Sequence, residues 1–323
     1  MPVKNAGKFL KPCLESIIKQ TYTDWELIAV NDHSTDNSKV ILNGYSDLYN
    51  NVLTIDNYGQ GIIDALKSGY KLATGDIVHR MDADDIMTPN KLELLLGVLK
   101  PGGIATGKVK YFREDAEVGD GFKTYSTWLN GLWINGDGWN DLYKECPIAS
   151  PAWLMFKTDF DRIEGFNSEE LPEDYDLAFR IYMNGLKVHW VNEVVHLWRD
   201  SSSRTSRNNS EYFPSAYYPL KVKYFLTLDR NRNKPLLLWG AGKKGKLVAR
   251  LLNKRNEDFS WITNNTRKIG APIYGKKLVL LKDLDPKQYQ NIIVVSGPKD
   301  KQDLSQLLTE IGLNEREDYF WFC

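Results

Sequence analysis

The sequence has few cysteines, no net charge and no long apolar run, and each absence excludes a class of protein. Its three cysteines, Cys13, Cys146 and Cys323, are too few and too scattered for a disulfide framework or a zinc site. Lysine plus arginine and aspartate plus glutamate number 42 each, so nothing indicates a nucleic-acid partner. No apolar run approaches the length of a transmembrane helix, and no secretory signal is visible. We therefore expect a cytoplasmic protein with reduced cysteines.

The chain is long enough, at 323 residues with 42% hydrophobic residues, to form two domains with cores of their own. Short apolar runs alternate with helical apolar spacing through about residue 110, which predicts an α/β domain with a mostly parallel sheet flanked by helices. A polar linker at residues 230–235 marks a change in composition. We therefore predict a first domain over residues 1–232 and a smaller second domain over residues 233–323.

The most informative short motif is acidic. Asp82, Asp84 and Asp85 follow a predicted short strand within residues 75–81. Crowded carboxylates repel one another unless a cation or several donors compensate. Asp82 and Asp84 flank one residue, so in an extended backbone they point the same way and can share one Mg²⁺ or Mn²⁺. The same residues also fit a solvated acidic turn before a helix near Pro89, and the motif alone leaves both interpretations open.

Further motifs occur at predicted strand ends or helix starts. A strand at residues 25–30 leads into the polar turn 31–38, and residues 171–180 begin a helix with acidic residues. Shorter motifs lie at residues 2–6, 20–22, 57–59 and 75–76. In this order and spacing, the motifs resemble those of the inverting family 2 glycosyltransferases of the GT-A fold. The resemblance extends from Met1 to about Ser206.

The resemblance implies a nucleoside diphosphate-sugar donor, expected to be a UDP-sugar, and a metal ion, Mn²⁺ or Mg²⁺, held by Asp82 and Asp84. The ion would offset charge on the departing nucleoside diphosphate, and Asp82 would also lie near the ribose. The donor-binding residues that the resemblance implies are Pro2, Asn5, Asp32, Asn57, Arg80, Asp82 and Arg199.

Several of these assignments have structural alternatives. By resemblance Asp32 accepts a hydrogen bond from a nucleobase ring N–H, but an Asx turn or helix cap would also explain it. Asn31 and His33 replace the usual Asp and Gly of this turn, and Lys4 stands where many relatives have an aromatic residue that stacks on the base. Arg80 either steadies a phosphate or pairs with an aspartate. The identity of the donor's nucleotide therefore stays open.

The resemblance implies that Asp174 is the general base. It would take the proton of an acceptor hydroxyl while that oxygen attacks the anomeric carbon opposite the diphosphate, which inverts the configuration in one displacement. Glu173 and Asp174 would also favour a helix dipole without any chemistry, but the acidic motif upstream favours the base. Arg199, followed by Ser201–Ser203, lies where the family often has a diphosphate-contacting loop, although Arg-Ser loops are also common on surfaces.

The resemblance also suggests the acceptor and the location. We expect a saccharide or lipid-linked saccharide acceptor, a role in bacterial surface polysaccharide or glycolipid synthesis, and peripheral association with the inner face of the membrane. Trp128, Trp133 and Trp139 could form platforms for sugar rings or could simply be core residues. The resemblance predicts apolar strand residues before Pro2, so we expect a truncated first strand. The oligomeric state stays open.

The second domain carries a glycine motif. A predicted strand at residues 236–239 enters a turn with Gly240, Gly242 and Gly245, followed by an amphipathic helix, as in dinucleotide-binding folds. The acid expected about 20 residues later is missing, because the next strand ends in residues 263–265, Thr-Asn-Asn. We therefore predict a Rossmann-like domain that does not bind NAD(P) productively and that either binds another nucleotide or serves in packing.

Two other enzyme classes fit parts of the sequence. A nucleotidyltransferase would also use metal-binding aspartates, but it would usually have a glycine-rich basic loop after the first strand, and residues 3–8 match one poorly. An NAD(P)-linked oxidoreductase could be built on the Gly240 turn, but the missing ribose carboxylate disfavours it.

Overall fold

The computed structural model describes residues 1–168, 171–201, 216–270, 272–295 and 297–322. The chain divides into two compact units, Met1–Gly138 with Pro147–Arg204 and Trp139–Cys146 with Thr205–Cys323. This division differs from the boundary predicted between residues 232 and 233, because Trp139–Cys146 and a helix at Tyr217–Tyr224 belong to the second unit. The two predicted domains stay a prediction.

The first unit alternates strands and helices. Its strands are β1 (Pro2–Val3), β2 (Leu27–Asn31), β3 (Val52–Asp56), β4 (Ile77–His79), β5 (Ile86–Met87), β6 (Gly103–Phe112), β7 (Trp153–Phe156) and β8 (Lys187–Arg199). Its helices are α1 (Gly7–Ile18), α2 (Ser38–Leu48), α3 (Ile62–Tyr70), α4 (Lys91–Val98), α5 (Asp120–Gly131), α6 (Lys157–Arg162) and α7 (Glu173–Met183).

The strands form two sheets. The first has the order β1-β2-β3 and is parallel throughout, as the alternation of strand and helix predicts. Only two residues of β1 pair with β2, and the predicted truncation of this strand stays a prediction. The second sheet has the order β4-β7-β6-β8-β5 and is mixed, because β4 and β6 both pair antiparallel with β7 while β6 and β8 run parallel.

The core beside the first sheet fixes the backbone of the acidic motif. The inward face of α1, which includes Leu10, Leu14 and Ile17, packs against β2 as its helical spacing predicts. Met81 and Ala83 are buried in the same cluster. The residues that flank Asp82 are thereby anchored in the core.

The second unit is built on a largely parallel sheet. Its strands are β9 (Leu236–Trp239), β10 (Ser260–Ile262), β11 (Pro272–Ile273), β12 (Lys276–Val279), β13 (Gln290–Ile293) and β14 (Tyr319–Trp321), in the sheet order β11-β12-β10-β9-β13-β14. Its helices are α8 (Tyr217–Tyr224), α9 (Lys243–Lys254) and α10 (Pro298–Glu310). Across the described parts of both units, every helix is too short or too polar to span a membrane.

The glycine turn of the second unit joins β9 to α9, as the sequence predicts. A Cβ on Gly240 would lie 2.3 Å from the carbonyl oxygen of Val294, and Gly240 has a φ of +94°. A Cβ on Gly245 would lie 2.1 Å from the carbonyl oxygen of Gly240. These two glycines therefore let the helix pack closely on the strand end, whereas a Cβ on Gly242 would meet open space. The predicted nucleotide role of the turn stays a prediction.

Candidate active site

Strand-to-helix turns of the first sheet meet at the carboxyl ends of its strands. Asn5, which has a φ of 50°, accepts a hydrogen bond from the backbone N–H of Thr35 at 2.8 Å. Its own backbone N–H donates to Ser34 Oγ at 3.0 Å. The β1–α1 and β2–α2 turns are thus joined through Asn5. Pro2 lies in β1, opposite Val30 of β2.

Asp32 is buried at the end of β2 and has several donors around it. Its Oδ1 accepts from Asn57 Nδ2 at 2.7 Å and from the backbone N–H of Gly61 at 3.0 Å, and its Oδ2 accepts from Lys4 Nζ at 3.0 Å. Burial opposes ionisation, but the hydrogen bonds from Asn57 and Lys4 outweigh it and lower the pKa of Asp32. The site therefore presents a carboxylate beside an ammonium group.

The acidic motif alternates between core and surface. Met81 and Ala83 are buried, whereas Asp82 and Asp84 are partly exposed. Residues 83 and 84 lie in a turn rather than in the extended backbone that the spacing argument assumes, so the convergence of Asp82 and Asp84 on one ion stays a prediction. Asp85 is buried, contacts His196 and accepts from the backbone N–H of Arg199.

The carboxylates of Asp82 and Asp84 suit a site for Mg²⁺ or Mn²⁺. They are the hard oxygen ligands that these two ions prefer. In the described parts of the chain, no group of three or more His, Cys, Asp or Glu side chains is arranged to hold a metal ion. An ion bound by these two aspartates would need further oxygens from water or substrate, as Mg²⁺ does when it binds substrate phosphates. The pair therefore fits a metal shared with a phosphate-bearing substrate.

Arg80 joins the acidic motif to the start of α7. Its Nε donates to Asp82 Oδ1 at 3.1 Å, and its Nη1 donates to Glu173 Oε1 at 2.8 Å. The guanidinium is buried, with 7% of the side chain exposed. Of the two roles considered from sequence, pairing with an aspartate is thus present in the structure. The arginine brings Asp82 and the turn that carries Asp174 into one site.

Asp174 lies in the first turn of α7, next to Glu173. Its Oδ1 accepts from the backbone N–H of Tyr175 at 2.8 Å. Burial, followed by the Glu173 carboxylate, raises the pKa of Asp174 to about 7, although Arg80 opposes this rise. A carboxylate with a pKa near neutrality is suited to accept a proton from a hydroxyl.

This pKa shift predicts how Asp174 affects stability. The folded carboxyl binds its proton more tightly than the unfolded one, whose ordinary pKa is 3.8, so the free energy of unfolding falls as pH rises towards about 7. Asp174→Asn removes this effect and keeps an acceptor for Tyr175. We therefore expect the variant to have a higher Tm than the unchanged protein at pH 8 and a smaller difference at pH 5, by differential scanning fluorimetry.

The control for that measurement is Asp120→Asn, because Asp120 is also a first-turn acid, in α5, but has a side chain that is 98% exposed. We expect this variant to show no gain in Tm at pH 8. If Asp174→Asn shows an equal or larger gain at pH 5, the burial account of Asp174 is wrong.

Arg199 lies beneath the acidic motif. It is 2% exposed, its Nε donates to the carbonyl oxygen of Asp84 at 2.6 Å, and its backbone N–H donates to Asp85 Oδ1 at 2.7 Å. Its guanidinium lies over the rings of Phe9 and Phe112. Arg199 thus supports the motif from the core side, which its position before a serine-rich segment does not suggest. Ser202 and Ser203 of the predicted loop lie outside the described residues.

Sequence reasoning missed two residues near this site. His196 and Lys91 are both fully buried and lie in contact with each other, and His196 also contacts Asp85. The only signal in the sequence is a histidine inside an apolar run, residues 194–198, where a polar side chain needs a buried partner.

The tryptophans considered as sugar platforms differ in their surroundings. Trp133 is buried and its Nε1 donates to the carbonyl oxygen of Pro147, so it is a core residue. Trp128 is half-buried beside Tyr125, and Trp139 belongs to the second unit. Of the cysteines, Cys13 and Cys146 are buried and not in disulfides, and Cys323 lies outside the described residues.

Comparison with known proteins gives a family match. The family model described as Glycosyl transferase family 2 matches residues 1–162. An uncharacterised glycosyltransferase, YibD, of Escherichia coli strain K12 is 32% identical over 258 residues, which cover 74% of this chain and 72% of YibD. Glycosyltransferase GlyA of Streptococcus pneumoniae serotype 4 is 28% identical over 214 residues, which cover 64% of this chain but only 31% of GlyA.

Two solved structures share the fold. TarS of S. aureus, residues 1–349, in complex with UDP-GlcNAc, aligns with a TM-score of 0.56 and 17% identity over 80% of this chain and 72% of that one. The mannosyltransferase PcManGT of Pyrobaculum calidifontis, in complex with GDP-Man and Mn²⁺, aligns with a TM-score of 0.51 and 17% identity over 78% of this chain and 67% of that one. At this identity the likeness concerns the fold, and it confirms the predicted GT-A architecture.

Proposed function

The chain belongs to glycosyl transferase family 2, and from that premise we propose that it moves a sugar from a nucleoside diphosphate-sugar to an acceptor hydroxyl with inversion of configuration. Family membership confirms the predicted glycosyltransferase and disfavours the nucleotidyltransferase and oxidoreductase alternatives. The donor, the metal and the residue roles below are our proposal.

One observation carries the proposal. Arg80 contacts Asp82 of the acidic motif and Glu173, the neighbour of Asp174, although 93 residues separate the arginine from the glutamate. One carboxylate of the proposed metal-binding pair and a carboxyl with a raised pKa therefore lie close to one buried cation. Groups that assist the leaving group and groups that activate the nucleophile must lie together in this way for a single displacement.

The nucleobase would bind at Asp32 and Lys4. Asp32 offers an ionised acceptor and Lys4 a donor 3.0 Å from it. A base edge with adjacent N–H and C=O groups, as in uracil or guanine, matches this pair, whereas adenine lacks the carbonyl. A UDP-sugar, the donor that we propose, fits this pair, and TarS, which shares the fold, is described with UDP-GlcNAc bound. Asn5 and Asn57, whose polar groups contact the neighbouring turns, would shape this subsite.

The diphosphate would bind beside Asp82 and Asp84, which would share Mn²⁺ or Mg²⁺ with it. The bound ion would supply Lewis-acid stabilisation to the departing nucleoside diphosphate, and Mn²⁺ is present in the PcManGT complex. Asp82 is restrained by Arg80, and the backbone of Asp84 is restrained by Arg199. These contacts hold the Asp82 carboxylate and the Asp84 backbone in place before the donor arrives.

Asp174 would act on the acceptor. Its carboxylate takes the hydroxyl proton as the acceptor oxygen forms the new bond to the anomeric carbon, and the bond to the diphosphate oxygen breaks on the opposite face. One base is enough, because no covalent sugar–enzyme intermediate is needed. The acceptor would be a saccharide or lipid-linked saccharide of a bacterial surface polymer or glycolipid, and the protein would work at the inner face of the membrane.

A thermal-shift screen tests the donor and the metal together. We expect UDP and UDP-sugars with Mn²⁺ to raise Tm more than either component alone, because a ligand that binds only the folded state stabilises it. ADP with Mn²⁺ is the control and should give little shift. The selected donor should then release free UDP in the presence of protein and acceptor. A rise in Tm with NAD(P)H, together with no rise with any nucleotide sugar, would contradict the proposal.

A further inference from the structure

A chain of buried polar groups lies directly beneath the acidic motif. Asp85 is 1% exposed, and His196 and Lys91 are fully buried. His196 Nε2 lies 3.0 Å from Asp85 Oδ2, and His196 Nδ1 lies 3.1 Å from Lys91 Nζ. Lys91 Nζ also donates to the carbonyl oxygen of Pro151. The three side chains come from the motif, from β8 and from α4 and form one continuous network.

The contacts assign a role to each nitrogen of His196. The Asp85 carboxylate only accepts hydrogen bonds, so His196 Nε2 donates to it, and His196 Nδ1 shares a hydrogen with Lys91 Nζ. His196 thus connects the buried Asp85 carboxylate at one end to the buried Lys91 amino group at the other. Replacing a histidine with a residue that cannot both donate and accept would separate these buried groups, which is costly.

The network also reaches the backbone of the metal-binding residues. Asp85 accepts from the backbone N–H of Arg199, whose Nε donates to the carbonyl oxygen of Asp84. In β5, Met87 pairs with His196 itself across the sheet. The segment that carries Asp84 is therefore held by side-chain and backbone contacts from β8.

We propose that His196 is a positioning residue for the metal site: it links Asp85 to Lys91 and so fixes the backbone from which Asp82 and Asp84 reach the ion. This inference rests on the proposed function, since it assumes that these two aspartates bind metal. Partners of this kind, which do not touch the ion, typically change metal affinity by roughly 10–100-fold when they are lost.

A matched pair of variants tests the role of His196. Gln and Met have similar size, but only the amide of His196→Gln can form hydrogen bonds with both Asp85 and Lys91. Binding of Mn²⁺ in the presence of UDP is measured by electron paramagnetic resonance of the free ion. We expect His196→Gln to stay within about 3-fold of the unchanged protein and His196→Met to bind roughly 10–100-fold more weakly. Equal affinities in folded His196→Met and the unchanged protein would overturn the inference.

Lys91→Met provides a second test that does not depend on how well His196→Met folds. Any loss of positive charge at Lys91 would by itself reduce the Coulomb repulsion of Mn²⁺ and so strengthen its binding. A weaker affinity therefore reports lost positioning and supports the inference, whereas an unchanged or stronger affinity overturns it.

Asp85→Asn distinguishes an effect of the hydrogen-bond network on Mn²⁺ affinity from a direct effect of the Asp85 charge. If this variant loses Mn²⁺ affinity while folded His196→Met keeps it, Asp85 acts through its own charge, and the positioning role of His196 is wrong. If the unchanged protein itself shows no Mn²⁺ binding with UDP, the proposed metal site fails before the role of His196 is reached. The two failures are thus distinguishable.

Discussion

Asp174→Asn should abolish sugar transfer while donor binding stays close to that of the unchanged protein. The carboxylate would act only when the acceptor hydroxyl loses its proton, so its loss should lower kcat rather than donor affinity. A positioned general base typically contributes roughly 10²–10⁴-fold, and we expect a loss in that range. Initial rates of UDP release in the presence of acceptor, with UDP binding measured by calorimetry, provide the two readouts.

The pH dependence gives a second check on the same residue. Because burial and Glu173 raise the pKa of Asp174 to about 7, kcat of the unchanged protein should rise as pH increases through this value. Asp120→Asn is the control, since it removes an exposed first-turn acid and should leave both kcat and its pH profile unchanged. A loss of only a few-fold in Asp174→Asn, or a parallel loss of donor affinity, would place the base elsewhere.

Asp84→Asn should remove metal-dependent donor binding and leave the fold intact. The substitution replaces an anionic hard-oxygen ligand with a neutral amide on the accessible side of the motif, while the backbone contact from Arg199 stays. We expect Mn²⁺ affinity in the presence of UDP to fall by about 100-fold or more, since even residues that only support a ligand account for roughly 10–100-fold. Calorimetric titration with Mn²⁺ measures this directly.

The control for Asp84 is Asp76→Asn, which removes a carboxylate that is exposed and lies just before β4. It should leave Mn²⁺ binding and Tm unchanged. Turnover and Mn²⁺ dependence in Asp84→Asn equal to those of the unchanged protein would show that the metal assignment is wrong.

The sequence predicts the backbone of the candidate site well because that part depends on local patterns. Apolar residues at helical spacing place α1, and the acidic motif follows β4, the short strand predicted before it. The glycines of the second unit predict a strand, tight turn and helix, and β9 and α9 follow that pattern. In each case the residues that form the sequence pattern lie within about a dozen residues of the structural element that they predict.

The missed features depend on contacts between distant parts of the chain. Arg199 is near a serine-rich segment in sequence, but its position at the end of β8 brings it beneath Asp84. His196 contacts Asp85 across 111 residues, and no local pattern indicates that pairing. Trp139–Cys146 belongs to the second unit although the chain on both sides belongs to the first. Residue spacing alone cannot predict such long-range packing.

The anomeric configuration of the transferred sugar tests the proposed mechanism most directly. With an α-configured UDP-sugar as donor and an acceptor found by the screen, proton NMR of the purified product distinguishes the two anomers by their coupling constants. A single displacement assisted by Asp174 predicts the β-linked product, accompanied by one equivalent of UDP. An α-linked product would contradict the inverting mechanism and the role proposed for Asp174.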